Sequence, residues 1–126
     1  MLAKDATILV VDDMKMVRTS VIRYLTALGY ENFVQASNGA EAITRVKEDK
    51  IDFVFMDVIM PFMEGNEALK KIREFNAKVP VVMLTSIADD DTIDECKKCG
   101  ILGYLLKPLD ADQGPGKLSS MLQKVN

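Results

Sequence analysis

The chain has 126 residues, of which 48% are hydrophobic and 28% charged, as is ordinary for one globular domain. The net charge of −3 gives no electrostatic basis for direct nucleic-acid binding, and the sequence has no apolar stretch long enough to span a membrane. The first five residues lack the apolar core of a signal peptide. We therefore expect a cytoplasmic protein without membrane contact.

Short apolar runs, each bounded by turn residues, predict the strands of a sheet that is buried on both faces. The predicted strands cover residues 8–11, 32–35, 53–56, 81–84 and 104–106. Residues 32–35 form the weakest of these patterns, so we expect this strand at an edge of the sheet.

Apolar residues at helical spacing fill the intervals between these runs and predict five helices. The first three inward faces contain Met14, Val17, Val21, Tyr24, Leu25 and Leu28; Ala42, Ile43 and Val46; and Ala68, Leu69, Ile72 and Phe75. The last two contain Ile93 and Cys96, and Leu118, Met121, Leu122 and Val125. Strand and helix alternate five times, which predicts an α/β fold with a mainly parallel sheet and helices on both faces.

The fourth helix is predicted to begin near the three aspartates at 89–91, which suit a helix N-terminus, and to end at Gly100. It contains the two cysteines of the chain, Cys96 and Cys99, in a C-x-x-C motif. A zinc site would need further ligands, and the chain has no histidine; a thioredoxin-like site would precede a helix. We interpret both cysteines as partly buried packing residues.

The segment before the last helix carries the unusual sequence Gly114-Pro115-Gly116. Proline lacks an N–H and glycine is a poor helix former, so both residue types disfavour an early helix start. We predict a shortened last helix, from about Pro115 or Lys117 to near Val125, with Gly114 as its N-cap.

Polar residues follow four of the predicted strands: Asp12 and Asp13, then Asp57, Thr85 and Lys107. Parallel strands with right-handed crossovers bring these positions to one edge of the sheet, where ligands bind in such folds. Three crowded carboxylates need a counter-charge, and an all-oxygen ligand set favours Mg²⁺ or Mn²⁺. A cation, an ammonium and a hydroxyl around one carboxylate suit phosphoryl transfer onto that carboxylate. Taken alone, the two adjacent aspartates have a simpler interpretation as helix caps.

Four segments resemble the response-regulator receiver domain of two-component signalling, of the CheY-like type. They are Val-Val-Asp-Asp at 10–13, Met-Asp-Val-Ile-Met-Pro-Phe-Met-Glu-Gly at 56–65, Leu-Thr-Ser at 84–86 and Gly-Tyr-Leu-Leu-Lys-Pro at 103–108. The resemblance implies a flavodoxin-like, doubly wound sheet of five parallel strands in the order 2-1-3-4-5. It also implies a single receiver domain over residues 1–126, and we expect no effector domain.

The resemblance implies that Asp57 accepts a phosphoryl group from the phosphohistidine of a sensor histidine kinase or a phosphotransfer protein. Asp13, Asp57 and the backbone carbonyl of Ile59 match direct Mg²⁺ ligands, and Asp12 matches a ligand that acts through water. Lys107 matches the lysine that contacts the phosphoryl group.

The resemblance also implies a conformational switch. Thr85 matches the switch hydroxyl, and Tyr104 the aromatic residue that changes rotamer with it. The face made of the fourth helix, the fifth strand and the fifth helix would then change its affinity for a downstream protein partner. The Lys107–Pro108 peptide bond is expected to be cis. No enzymatic activity is implied beyond phosphorylation and autodephosphorylation of Asp57.

Ile59 departs from the family, in which polar residues are frequent two positions after the phosphoacceptor. We expect this apolar side chain to restrict water attack on the acyl phosphate, which predicts slow to moderate autodephosphorylation.

Alternative functions remain open from the sequence. The chain is interpretable as a receiver fragment of a multidomain regulator or as a phosphorelay shuttle. A haloacid-dehalogenase-type phosphatase would carry D-x-D after the first strand, and a flavin-binding protein would carry a Ser/Thr/Gly-rich loop there. This chain has Asp12-Asp13 at that position.

Overall fold

Residues 1–86 and 89–125 are described by the computed structural model, and they form one parallel sheet with helices on both faces. The strands are β1 (Thr7–Val11), β2 (Asn32–Ala36), β3 (Phe53–Asp57), β4 (Val81–Thr85) and β5 (Gly103–Leu106). The helices are α1 (Lys15–Ala27), α2 (Gly39–Glu48), α3 (Gly65–Phe75), α4 (Asp90–Cys99) and α5 (Gly114–Leu122). The strand order β2-β1-β3-β4-β5 confirms the predicted doubly wound, flavodoxin-like sheet, with β2 at an edge. Asn126, which ends the predicted domain, lies outside the described residues.

Alternating side chains of the strands build two hydrophobic clusters, one on each face of the sheet. Leu9 and Val11 of β1 belong to the cluster shared with α2, α3 and α4, whereas Ile8 and Val10 belong to the cluster shared with α1 and α5. All four side chains are fully buried. Because a slip of one residue would exchange the two faces, this packing fixes the register of each strand. The register in turn decides which residue of each strand reaches the functional edge of the sheet.

Two residues predicted on inward helix faces are exposed. Met14 is the N-cap of α1, one position before the helix begins, so its side chain falls off the apolar stripe. Phe75 is the last residue of α3, and its ring contacts the Lys47 ammonium at 5.0 Å instead of the core. In both cases the predicted apolar face extends beyond the part of the helix that packs on the sheet, at the start of α1 and at the end of α3.

The fourth helix has the expected bounds and a small buried face. The Asp89 carboxylate accepts a hydrogen bond from the Asp91 N–H at 3.1 Å, which caps the helix. Among its helical residues, Ile93 and Cys96 are buried. As predicted, Cys96 and the partly buried Cys99 are packing residues, and burial raises the pKa of Cys96 to about 11.

The last helix is short, as predicted, but its cap is Gln113 rather than Gly114. A turn is anchored on Asp110, whose side chain accepts from the Gln113 N–H and whose carbonyl accepts from the Gly114 N–H. The helix therefore begins at Gly114, one residue before the predicted start at Pro115. Gly114 is buried against Tyr24, where an added Cβ would lie 3.0 Å from the ring. The helix ends at Leu122, three residues before the expected position.

Candidate functional site

The C-terminal ends of four strands bring the predicted polar residues together. Asp12 follows β1, Asp57 ends β3, Thr85 ends β4 and Lys107 follows β5. Asp12, Asp57 and Thr85 are the buried polar residues of the described chain, whereas Asp13 is exposed. The parallel topology therefore places a compact polar pocket at one edge of an otherwise apolar sheet.

Lys107 forms a bridge between two buried carboxylates. Its ammonium donates to Asp12 Oδ2 at 2.8 Å and lies 3.1 Å from Asp57 Oδ2. Burial lowers the pKa of Lys107, but the carboxylates of Asp12 and Asp57 outweigh burial and raise it. Burial raises the pKa of Asp57, an effect that Lys107 opposes and Asp12 reinforces. The lysine is held as a cation, and Asp57 is the carboxylate that burial destabilises.

Asp12 has a structural and an electrostatic part in this pocket. Its Oδ1 accepts from the Met14 N–H at 2.9 Å, and its backbone carbonyl accepts from Arg18 at 2.6 Å, so it shapes the turn that starts α1. Its other carboxylate oxygen faces Lys107. The N-cap of α1 is Met14, without a side-chain cap, so the interpretation of the two adjacent aspartates as helix caps is wrong.

Three carboxylates are close enough to hold one cation. Oxygen atoms of Asp12, Asp13 and Asp57 lie within 4.8 Å of one another. Carboxylates are hard donors that suit Mg²⁺ or Mn²⁺, so this donor set fits the expected metal. Ile59 lies in the loop after Asp57 with its side chain 44% exposed, and the ligand role of its carbonyl stays a prediction.

The two predicted switch residues occupy neighbouring strands but different environments. Thr85 is 1% exposed, and its carbonyl accepts from the Lys107 N–H at 2.8 Å. Tyr104 is 39% exposed, and its ring lies 5.9 Å from the Lys97 ammonium of α4. The Lys107–Pro108 peptide bond is cis, as expected.

Sequence reasoning missed two residues, one in the loop after β3 and one at the first position of α3. Gly65 packs so closely that an added Cβ would overlap the carbonyl of Asp57. Phe62 has a left-handed backbone, with φ of 68°, and is 95% exposed. The motif at 56–65 contains both residues, but spacing along the chain does not report a close backbone approach or a positive φ.

The family model of the response regulator receiver domain matches residues 8–118. The chain belongs to this family. It is 36% identical over 126 residues to the chemotaxis protein CheY-3 of Vibrio cholerae, with 98% of this chain and 97% of CheY-3 covered. It is also 39% identical over 122 residues to the transcriptional regulatory protein ZraR of Klebsiella oxytoca, with 97% of this chain covered. The receiver chain spans only 27% of the length of ZraR.

Solved structures share the fold over nearly the whole chain. CheY4 of Vibrio cholerae superposes with a TM-score of 0.83 at 32% identity, covering 97% of this receiver and 99% of CheY4. A chain of the CheX–CheY–BeF3–Mg²⁺ complex of Borrelia burgdorferi superposes with a TM-score of 0.86 at 27% identity, covering 95% and 88%. The chain is therefore a CheY-like receiver domain of two-component signalling, rather than a haloacid dehalogenase or an FMN-binding flavodoxin. None of the helices in the described residues is both long and apolar enough to cross a membrane.

Proposed function

We propose that this receiver is a phospho-activated response regulator that accepts a phosphoryl group on Asp57. The observation that carries the proposal is the place of Lys107, whose one ammonium faces the buried carboxylates of both Asp12 and Asp57. Asp13 adds a third carboxylate to the same cluster. One positive charge cannot balance three negative ones, so the pocket is suited to a further cation and a reacting group.

The proposed donor is the phosphohistidine of a sensor histidine kinase or a phosphotransfer protein. An oxygen of Asp57 attacks phosphorus in line, the P–N bond to histidine breaks, and the imidazole nitrogen leaves with the electron pair and takes up a proton. Lys107, already beside the attacking carboxylate, stabilises negative charge on the phosphoryl oxygens. The chemistry is limited to phosphorylation and autodephosphorylation of Asp57, so the chain acts as a switch and not as an enzyme with a separate substrate.

We propose that Asp13, Asp57 and the Ile59 carbonyl hold Mg²⁺, or Mn²⁺ in its place, with Asp12 acting through water. The cation supplies positive charge that offsets the phosphoryl oxygens. The clustering of three carboxylates within 4.8 Å supports this set.

The proposed switch follows from the charge that phosphorylation adds, about −1.5 to −2. Thr85, buried at the end of β4, would turn its hydroxyl toward a phosphoryl oxygen, and Tyr104 would move inward from its present exposed position. The face of α4, β5 and α5 would then change its affinity for a downstream protein. Gly114 and Pro115 form the first turn of α5, which belongs to this face. A cytoplasmic location belongs to the same proposal.

Acetyl phosphate with Mg²⁺ tests the proposed chemistry without any protein partner. We expect mass spectrometry to show one added phosphoryl group on the wild-type chain, and hydroxylamine should remove it. The added group should be absent from Asp57→Asn and from the wild type treated with a chelator. Asp94→Asn, which removes an exposed carboxylate of α4, is the matched control and should be labelled like the wild type. No label, or one that resists hydroxylamine, would contradict the proposal.

A second candidate is that the chain works as the receiver part of a larger regulator or as a phosphorelay shuttle. The similarity to ZraR, of which the chain spans 27%, favours the first form. Transfer from the phosphorylated chain to histidine phosphotransfer proteins of the same genome would indicate a relay.

A further inference from the structure

Phe62 is the most exposed large hydrophobic residue in the described part of the chain, with 95% of its surface accessible. Its φ of 68° lies in the left-handed region, where a Cβ crowds the neighbouring carbonyl and where glycine or asparagine is more usual. A solvated aromatic ring gains no burial on folding that would offset this strain. The residue is therefore unfavourable for the free domain, and strained residues of this kind cluster at functional sites.

The loop that presents Phe62 is firmly attached. Residues 58–64 join Asp57 to α3, and the side chains of Val58 and Met60 are each 6% exposed. The Gly65 N–H donates to the Val58 carbonyl at 2.7 Å, which closes the loop at the base of α3. Phe62 is thus a ring held outward by a packed loop, which is the form that aromatic anchors take in protein interfaces.

Exposed apolar residues also lie beside the lysine of the acidic site. Met14 and Met16 follow Asp12 in the chain and are 55% and 76% exposed. Together with Lys107 they line a mainly apolar pocket of about 430 Å³. Exposed apolar side chains therefore occur in both segments that directly follow a buried carboxylate, the start of α1 after Asp12 and the loop after Asp57.

We propose that Phe62 is the aromatic anchor on which a histidine-phosphorylated donor protein docks while it delivers the phosphoryl group to Asp57. This inference rests on the proposed function. Asp57 is only 3% exposed, so a phosphohistidine reaches it only if the donor's surface presses against the surrounding loops. Phe62 stands five residues after Asp57 in one of those loops. A ring buried there on docking also excludes water from the transferring group.

The test compares a protein donor with a small one, because acetyl phosphate needs no docking surface. Phe62→Asn removes the ring and tolerates the left-handed backbone, and Phe62→Tyr keeps the ring. Phe75→Asn removes an exposed phenylalanine at the far end of α3 and is the matched control. Radiolabelled sensor kinases and phosphotransfer proteins of the same genome are profiled one by one as donors.

We expect Phe62→Asn to lower the transfer rate from a protein donor about tenfold or more, as for an interface anchor. Labelling by acetyl phosphate should stay at the wild-type rate, and Phe62→Tyr and Phe75→Asn should transfer like the wild type. Unchanged transfer to Phe62→Asn overturns the inference, and so does an equal loss with acetyl phosphate. Labelling of the wild type by acetyl phosphate but by no protein donor overturns it while leaving the phosphoacceptor chemistry intact. If acetyl phosphate itself does not label the wild type, the proposed function fails.

Discussion

α3 and α4 pack side by side on the same face of the sheet, but they are held in different ways. The buried residues are Gly65, Ala68, Leu69 and Ile72 in α3, and Ile93 and Cys96 in α4. α3 is thus anchored by apolar burial directly behind Asp57, whereas α4 depends more on its polar contacts. The proposed switch would need one helix that keeps the acidic site in place and another that shifts at low cost, and α3 and α4 suit these two needs respectively.

The polar contacts between α3 and α4 are exposed or half-exposed. Lys70 forms an ion pair with Glu95 at 2.8 Å, and Asn66 donates to the same carboxylate at 3.3 Å. At the other end, Arg73 donates twice to the Gly100 carbonyl, at 3.2 and 2.7 Å. Water replaces the exposed Lys70–Glu95 ion pair at small cost, so this contact defines the position of α4 without fixing it.

The largest effect should come from filling the close contact between α3 and Asp57. Gly65→Ala places a methyl group on the Asp57 carbonyl, which forces the loop and the start of α3 apart. We expect a loss of about 3 kcal/mol in the free energy of unfolding, measured by urea denaturation. Phosphorylation of Asp57 by acetyl phosphate should slow as well.

Gly116→Ala provides the matched control for this substitution. Gly116 lies in the first turn of α5, where an added Cβ meets nothing within 4 Å. Alanine is the better helix former, so we expect a gain of about 0.5 kcal/mol. Equal stability of the two variants would show that α3 is not held in the way described.

Breaking the clamp at the far end of α4 should have the next largest effect. Burial lowers the pKa of Arg73, and its guanidinium bridges the carbonyls of Gly100 and Asn76. Arg73→Met keeps the aliphatic stem but leaves these carbonyls without the donor, at a cost of about 1–2 kcal/mol. Amide hydrogen exchange should quicken in α4 more than in α3. Arg23→Met, at an exposed position of α1, is the control, and equal quickening in both helices would contradict the comparison.

The sequence predicts strand-end residues well because a continuous apolar run marks a buried strand, and the polar residue after the run marks the end of that strand. Asp57 and Lys107 each follow a continuous apolar run, and a parallel sheet brings such positions to one edge. The ion pair of Lys107 with Asp12 joins residues 95 positions apart, so only the folded register reveals it. The roles of Gly65 and Arg73 depend on how backbones from different segments approach each other, for which hydrophobic periodicity carries no signal.

The buried carboxylate of Asp57 should destabilise the folded state of the metal-free protein. Because burial raises the pKa of Asp57 above its usual 3.8, the folded state binds a proton more readily than the unfolded state. At pH 7 in a chelator, we expect Asp57→Asn to be more stable than the wild type by about 1 kcal/mol. The difference should shrink as the pH falls through the folded-state pKa and disappear below 3.8, where both states are protonated. A wild type more stable than Asp57→Asn at pH 7 would mean that the attraction of Lys107 exceeds the cost of burial.

The smallest effect concerns the boundary between α4 and the loop that precedes α3. Ile59, from the loop before α3, lines a cavity of about 220 Å³ together with Thr85 and with Asp89, Thr92 and Ile93 at the start of α4. Its apolar side chain, 44% exposed, belongs to the second residue after Asp57, and we predict that it restricts the approach of water to an acyl phosphate there.

Ile59→Asn places a hydrogen-bonding group at that approach, so we expect autodephosphorylation to quicken about threefold, equivalent to about 0.7 kcal/mol of barrier. Release of phosphate from the chain labelled with acetyl phosphate measures the rate, and Ile59→Val, which stays apolar, should match the wild type. An unchanged rate in Ile59→Asn would place the control of water access elsewhere.

If α4 is the element that moves on phosphorylation, the cavity changes shape while Ile59 stays with the loop before α3. The same substitution in an Arg73→Met background should then quicken hydrolysis by a different factor, because the two helices no longer hold the cavity in one arrangement.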